Sequence, residues 1–188
     1  MLQCCRRNCA ERGLENSRLY NADLRSLDLP RRYDAIILSY GSFGLIEDRT
    51  EAAVTLHNLA RHLNPGGRLF IDLDAPPTGA GEWSSPRTVS CEDGSVITLK
   101  SAASYAAAEQ VEDTLLRYER LRSGRMVQAE LQRLTVRHYG SREFADLLRA
   151  ASFTGVELRR DYREEREDYR HAAASAWRCY SARLDRPI

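Results

Sequence analysis

The sequence predicts an α/β protein in which a parallel sheet is interrupted by an inserted antiparallel sheet and then resumed. Three observations predict this. Continuous apolar runs at Tyr33–Ser39 and Arg68–Leu73 read as strands buried on both faces, as strands of parallel sheets are. Between them lies a helical apolar stripe of Ala52, Leu56, Leu59 and Leu63, and strands alternating with helices are the pattern of a parallel α/β sheet. From Thr88 to Tyr139 the pattern changes to long, partly polar strand segments around turn signals.

Leu2 to Arg12 reads as a helix ended by Gly13, a residue suited to the left-handed cap position. Ser17–Asn21 is a short strand candidate, with Asp23 in the loop after it. Asp48 and Glu51 have capping-box spacing ahead of the apolar stripe, and Asn64-Pro65-Gly66-Gly67 stops that helix. Ala75–Arg87, with its prolines and glycines around Trp83, reads as a loop. Asp93-Gly94 joins Thr88–Cys91 to Ser95–Ser101, and Ser123-Gly124 joins Val111–Leu121 to Met126–Tyr139, giving two hairpins. Their arms are polar in part on each face, which predicts a half-exposed sheet. Ser141 is placed to cap a helix carrying Phe144, Leu147, Leu148 and Ala151, and Val156–Tyr162 and Trp177–Leu184 are the last strand candidates. The organisation expected is therefore a core of residues 1–75 and 140–188 with an insertion at 76–139.

Composition excludes several functions. The 188 residues carry a net charge of +1, with 28 basic and 27 acidic side chains interleaved along the chain, so no segregated basic face points to nucleic acid. No apolar run approaches the roughly 18 residues of a membrane span, and the first residues do not read as a secretory signal, so a cytoplasmic protein is expected. Cys5 and Cys9 share a helix face, but no histidine lies near them and the spacing fits no common zinc pattern; no metal is expected.

The ordered motifs resemble a known family. Arg7–Leu14, Asn21-Ala22-Asp23-Leu24, Tyr33–Leu38 and Leu63–Leu69 resemble the second helix, acidic loop, fourth strand and helix-to-fifth-strand turn of class I S-adenosylmethionine (SAM) methyltransferases. Tyr139–Phe153 resembles the late helix of that family and its terminal Ala-Gly-Phe, with Ser152 where the family prefers glycine. The resemblance implies a Rossmann-like sheet, SAM as cofactor and methyl transfer to a small-molecule acceptor. It implies that Asp23 accepts the adenine amine, that the Leu24 N–H faces the ring, and that Ser39 and Tyr40 border the cofactor. Ligands of open α/β sheets lie beyond the carboxyl ends of the strands, which is where these loops fall. A competing reading makes Asp23 the cap of the turn before Leu27.

Ser42 and Phe43 would shape the acceptor pocket together with Trp83 and Tyr105, although Phe43 also suits a core position. His138, ending a hairpin strand, is the histidine placed to act as general base. The insertion is expected to cover the acceptor as a lid. The family's amine-modifying DNA enzymes carry an Asp/Asn-Pro-Pro-aromatic motif after the fourth strand; here that place reads Ser39-Tyr40-Gly41-Ser42-Phe43, against a nucleic-acid base as acceptor.

One departure stands out. No apolar strand with a Gly-x-Gly loop precedes the Leu2 helix, so the sheet is expected to lack the family's first two strands, as an N-terminal truncation would produce. The alternative function that follows is a non-catalytic, methyltransferase-like partner or binding subunit.

Overall fold

The computed structural model describes residues 2–76, 82–160, 166–167 and 177–185. After helix α1 (Leu2–Glu11) come strand β1 (Tyr33–Leu38), helix α2 (Arg49–Arg61) and strand β2 (Leu63–Asp74). The inserted strands are β3 (Arg87–Ser90), β4 (Val96–Ala106), β5 (Val111–Arg122) and β6 (Arg125–Arg137). Helix α3 (Ser141–Ala150) and strands β7 (Phe153–Arg160), β8 (Arg166–Glu167) and β9 (Trp177–Leu184) complete the order. No helix among the described residues is long and apolar enough to cross a membrane.

The main sheet has the order β1-β2-β9-β7-β8. β1 and β2 are parallel, whereas β9 runs antiparallel to both β2 and β7. The resemblance to class I methyltransferases implies the strand order 3-2-1-4-5-7-6, and the first four strands here follow its 4-5-7-6 portion. Ser17–Asn21, in contrast, is not a strand. A strand is held by its ladder partners, and no described strand lies beyond the free edge of β1 to supply them.

The Asn64–Gly67 turn does stop the helix, but it is absorbed into β2 as a bulge. Tyr33 pairs with Leu63, and the register then jumps so that Ala35 pairs with Arg68. Glycine is required twice there: Gly66 has φ +78°, and a Cβ on Gly67 would lie 2.8 Å from the Asn64 carbonyl oxygen.

Side-chain alternation sorts the sheet. Leu69, Ile71 and Leu73 turn to one face, where they join Leu56 and Leu59 of α2 and Leu148 of α3 in one core. Phe43, Tyr139, Phe144 and Tyr180 form an aromatic chain through it, with neighbouring ring centroids 4.8–6.0 Å apart. On the opposite face Ile37 remains 70% exposed, and α1 contributes no buried residue. The Asp48 Oδ1 caps α2, accepting the N–H groups of Thr50 and Glu51 at 2.8 Å each. The cap of α3 differs from expectation: Gly140 takes that position and its N–H donates to Glu143 at 3.0 Å.

The two expected hairpins merge into one four-stranded antiparallel sheet, because β4 and β5 also pair along their length from Val96–Leu121 to Ala106–Val111. Its root is fixed by arginines. Arg137 donates to the carbonyls of Glu47 and Glu109, and Arg49 bonds Glu143 and Gln110. Beyond the root the sheet stands in solvent, with Arg125–Leu134 of β6 exposed on both faces.

Arg178 of β9 closes the base of this insertion. It is 5% exposed, and its Nη2 donates to the Asp74 carbonyl at 2.8 Å where the chain leaves the main sheet. Its Nη1 donates to the Tyr139 carbonyl at 2.9 Å where the chain returns.

Two predictions follow from this architecture. Arg178→Met keeps the length of the stem but removes the buried donor that two carbonyls share; it should cost about 2–4 kcal/mol in urea unfolding and speed hydrogen exchange at 74–75 and 138–140. Equal stability would remove the stapling role. Ser152 has φ +68°, a left-handed conformation that disfavours a side chain, so Ser152→Gly should stabilise the fold by about 1 kcal/mol. An unchanged or lowered midpoint would refute the strain.

Candidate functional site

The carboxyl ends of β1 and β2 lie side by side, since Leu38 pairs with Ile71. The loop after β1 turns sharply through consecutive left-handed residues, Tyr40 at φ +61° and Gly41 at φ +64°. Such a turn strains tyrosine and needs compensation from its surroundings. Part of it comes from β2: the Tyr40 N–H donates to Asp72 at 3.4 Å. Gly41 is required by contact as well as by conformation, because a Cβ there would lie 2.5 Å from Asp74 Oδ2. Ser42 closes the turn by donating its hydroxyl to the Ser39 carbonyl at 2.8 Å.

The turn holds the Tyr40 ring 82% exposed, at the rim of the loop. Phe43 points the other way. It is fully buried between Tyr139 and Phe144, so it is a core residue here and not a pocket wall.

Asp23 reaches the same end of the sheet by another route. It caps the short 3-10 turn Leu24–Ser26, accepting the Arg25 N–H at 2.9 Å. The Arg25 guanidinium grips both of its oxygens and also reaches Glu51 in the first turn of α2 at 3.0 Å. Hydrogen bonds from Arg25 hold the Asp23 carboxyl down at about 2. The turn-capping reading of Asp23 is thus realised in the geometry. Leu24 and Leu38 meet nearby in an apolar groove of about 330 Å³ that also includes Tyr20, Leu27 and Ile36.

Across from this loop, the root of the inserted sheet brings His138, Glu112 and Tyr105 together. Glu112 and Tyr105 are cross-strand partners, and the Tyr105 ring meets the His138 ring edge-on at 5.5 Å. His138 is 2% exposed, with Nε2 2.8 Å from Glu112 Oε2 and Nδ1 3.3 Å from the Asp74 carbonyl. Both neighbours are acceptors. The ring satisfies both only with a proton at each nitrogen, or with the proton of one contact supplied by Glu112. Neither nitrogen is open to receive a substrate proton in this arrangement, so His138 clamps the sheet root to β2. Trp83 is about half exposed.

Asp72, Asp74, Glu112 and Arg178 are members of this site that sequence reading missed. The first two had a signal: Asp72-Leu73-Asp74 ends an apolar strand, and a period of two places both carboxylates on one face. Glu112 and Arg178 had none, because strand register and the return of β9 bring them here.

The sequence model of the family described as "Methyltransferase domain" matches residues 1–67. A dTDP-3-amino-3,4,6-trideoxy-alpha-D-glucopyranose N,N-dimethyltransferase of Streptomyces venezuelae is 25% identical over 104 residues, covering 55% of this chain and 44% of that protein. The chain thus spans less than half the length of this curated relative. Among solved structures, a SAM-dependent methyltransferase of Clostridium acetobutylicum ATCC 824 superposes with a TM-score of 0.77 at 14% identity, over 97% of this chain and 70% of that one. The sugar N-methyltransferase KedS8 of Streptoalloteichus sp ATCC 53650 gives 0.73 at 22% identity, over 96% and 67%. These likenesses establish the class I methyltransferase fold.

Beside the site, Cys179 pairs with Asp72 across β2 and β9. Burial, followed by a hydrogen bond to Asp72, pushes its thiol up to about 12. At pH 8 about one molecule in ten thousand then carries the thiolate. Iodoacetamide at pH 8 should therefore modify the exposed Cys4 and spare Cys179 until the protein is unfolded. Equal labelling rates, read by peptide mass spectrometry, would contradict this environment.

Proposed function

We propose that this chain, a member of the class I SAM-dependent methyltransferase family, takes part in methyl transfer from SAM to a small-molecule acceptor bearing an amine. The observation that carries the reading is the family match over residues 1–67, which spans β1, α2 and the acidic Asp23 turn. Similarity to enzymes on both the sequence and the structure side favours catalysis over a purely binding role. An amine acceptor is supported by the N-methyltransferase activities for which the similar sugar methyltransferases are named.

In this reading Asp23, Leu24, Ser39 and Tyr40 form the cofactor side, with the inserted sheet covering the acceptor opposite them. Residues 76–139 serve as the lid, and Ser42, Tyr105 and Trp83 border the acceptor. The residues present suit the adenine end of SAM: a carboxylate, an adjoining backbone N–H and an apolar groove. SAM supplies an electrophilic methyl group on a sulfonium, and the protein's task is to align the acceptor with it and exclude water.

Arg25 has a defined part in this. It already fills both oxygens of Asp23, so the carboxylate takes an adenine amine only by sharing them or by releasing Arg25 to Glu51.

The test is calorimetric titration with S-adenosylhomocysteine. Asp23→Ala should weaken binding by about 1–3 kcal/mol, the cost of leaving a polar group unpaired. Arg25→Ala should retain or tighten it. Affinity unchanged in Asp23→Ala would return Asp23 to a turn former, and a wild-type chain without affinity for the cofactor product would remove the reading.

A further inference from the structure

We propose that Asp74 is the acceptor-facing carboxylate of this site: it holds the ammonium form of an amine acceptor and takes its proton. The inference rests on the methyl-transfer reading and adds to it the base that His138, clamped at both nitrogens, does not provide.

Three observations place the role on Asp74. Its carboxylate lies at the carboxyl end of β2, with Oδ2 against Gly41 of the strained loop, where any added Cβ would collide with it. Its side chain accepts no hydrogen bond from a described residue; the bonds from Arg178 and His138 both go to its backbone carbonyl. Its surroundings are neither solvent nor plain core. His138 of the β6–α3 link, Glu112 of β5, Arg178 of β9 and Asp72 of its own strand all act on it, and burial raises its affinity for a proton. Backbone contacts thus fix the position of Asp74 while its carboxylate accepts no hydrogen bond among the described residues.

That combination selects the acceptor. Burial and the carboxylates of Glu112 and Asp72 raise the proton affinity of Asp74 while His138 and Arg178 lower it, and a bound ammonium ion would add a positive charge beside it. A carboxylate is far too weak a base for a sugar hydroxyl; an ammonium proton is much more acidic than a hydroxyl's, so its uphill passage to the carboxylate is within reach. Asp74 accepts that proton, and the N–H electron pair stays on nitrogen. That pair would then be available to the methyl group that a bound SAM would supply, with the cleaved C–S bonding pair remaining on sulfur. The proton then passes from Asp74 to solvent.

The experiment uses the 188-residue protein without cofactor and two probes of one shape, cyclohexylammonium and cyclohexanol, at fixed ionic strength and pH 7. In ¹³C-aspartate NMR, cyclohexylammonium should shift the Asp74 carboxyl resonance saturably, and the Gly41 amide with it, while cyclohexanol moves neither. Asp74→Asn, nearly isosteric and checked for folding by its amide spectrum, should bind the ammonium at least tenfold more weakly.

Equal response to both probes, unsaturable shifts spread over surface carboxylates, or full ammonium affinity in Asp74→Asn would each overturn the proposal. The wild-type measurement stands even if the variant does not fold. Ammonium capture without S-adenosylhomocysteine binding would fault the methyl-transfer reading alone. The converse result would fault Asp74 alone.

Discussion

The site depends on a single backbone atom, the carbonyl oxygen of Asp74. Arg178 and His138 both converge on it, at 2.8 and 3.3 Å, from opposite ends of the later chain. A buried guanidinium is costly unless its N–H groups are met. Arg178 meets them largely with carbonyls at the two points where the insertion leaves and rejoins the main sheet. A span of more than sixty residues between Asp74 and Tyr139 is thereby closed at its base, and the position of the root of the inserted sheet follows from the end of β2.

The same constraint shapes the chemistry. With the Asp74 backbone anchored, its side chain is held against Gly41. With His138 bonded to that backbone and to Glu112, the imidazole serves as a structural clamp. Strain in the Tyr40–Gly41 turn is supported by the neighbouring carboxylate of Asp72, so one strand end organises both loop and lid. On the far side, Asp23 is pre-folded by Arg25, whose guanidinium meets both carboxylate oxygens.

Much of this could be read from local patterns. The periodicity around Leu56 and Leu59, the Asp48 cap and the apolar run Tyr33–Leu38 report on neighbours a few residues away, and they yielded the elements found. Ser17–Asn21 failed for the opposite reason: its composition suits a strand, but a strand exists only through a partner, and none adjoins it among the described residues. Phe43 failed as a pocket residue because the turn at Gly41 sends successive side chains to opposite sides, and a turn's direction is not written in its composition.

By itself the sequence determined the α/β pattern, the place and antiparallel character of the insertion, and a motif order that resembles class I methyltransferases. These depend on spacing along the chain, which folding does not alter. Only the tertiary structure decided that two hairpins are one sheet, that Asp23 is paired with Arg25 and that His138 is occupied at both nitrogens. It also decided that the Asp74 carboxylate lies against Gly41, under the influence of His138, Glu112 and Arg178. Each of these is a relation between residues far apart in the chain, set by strand register and by which buried polar groups find partners.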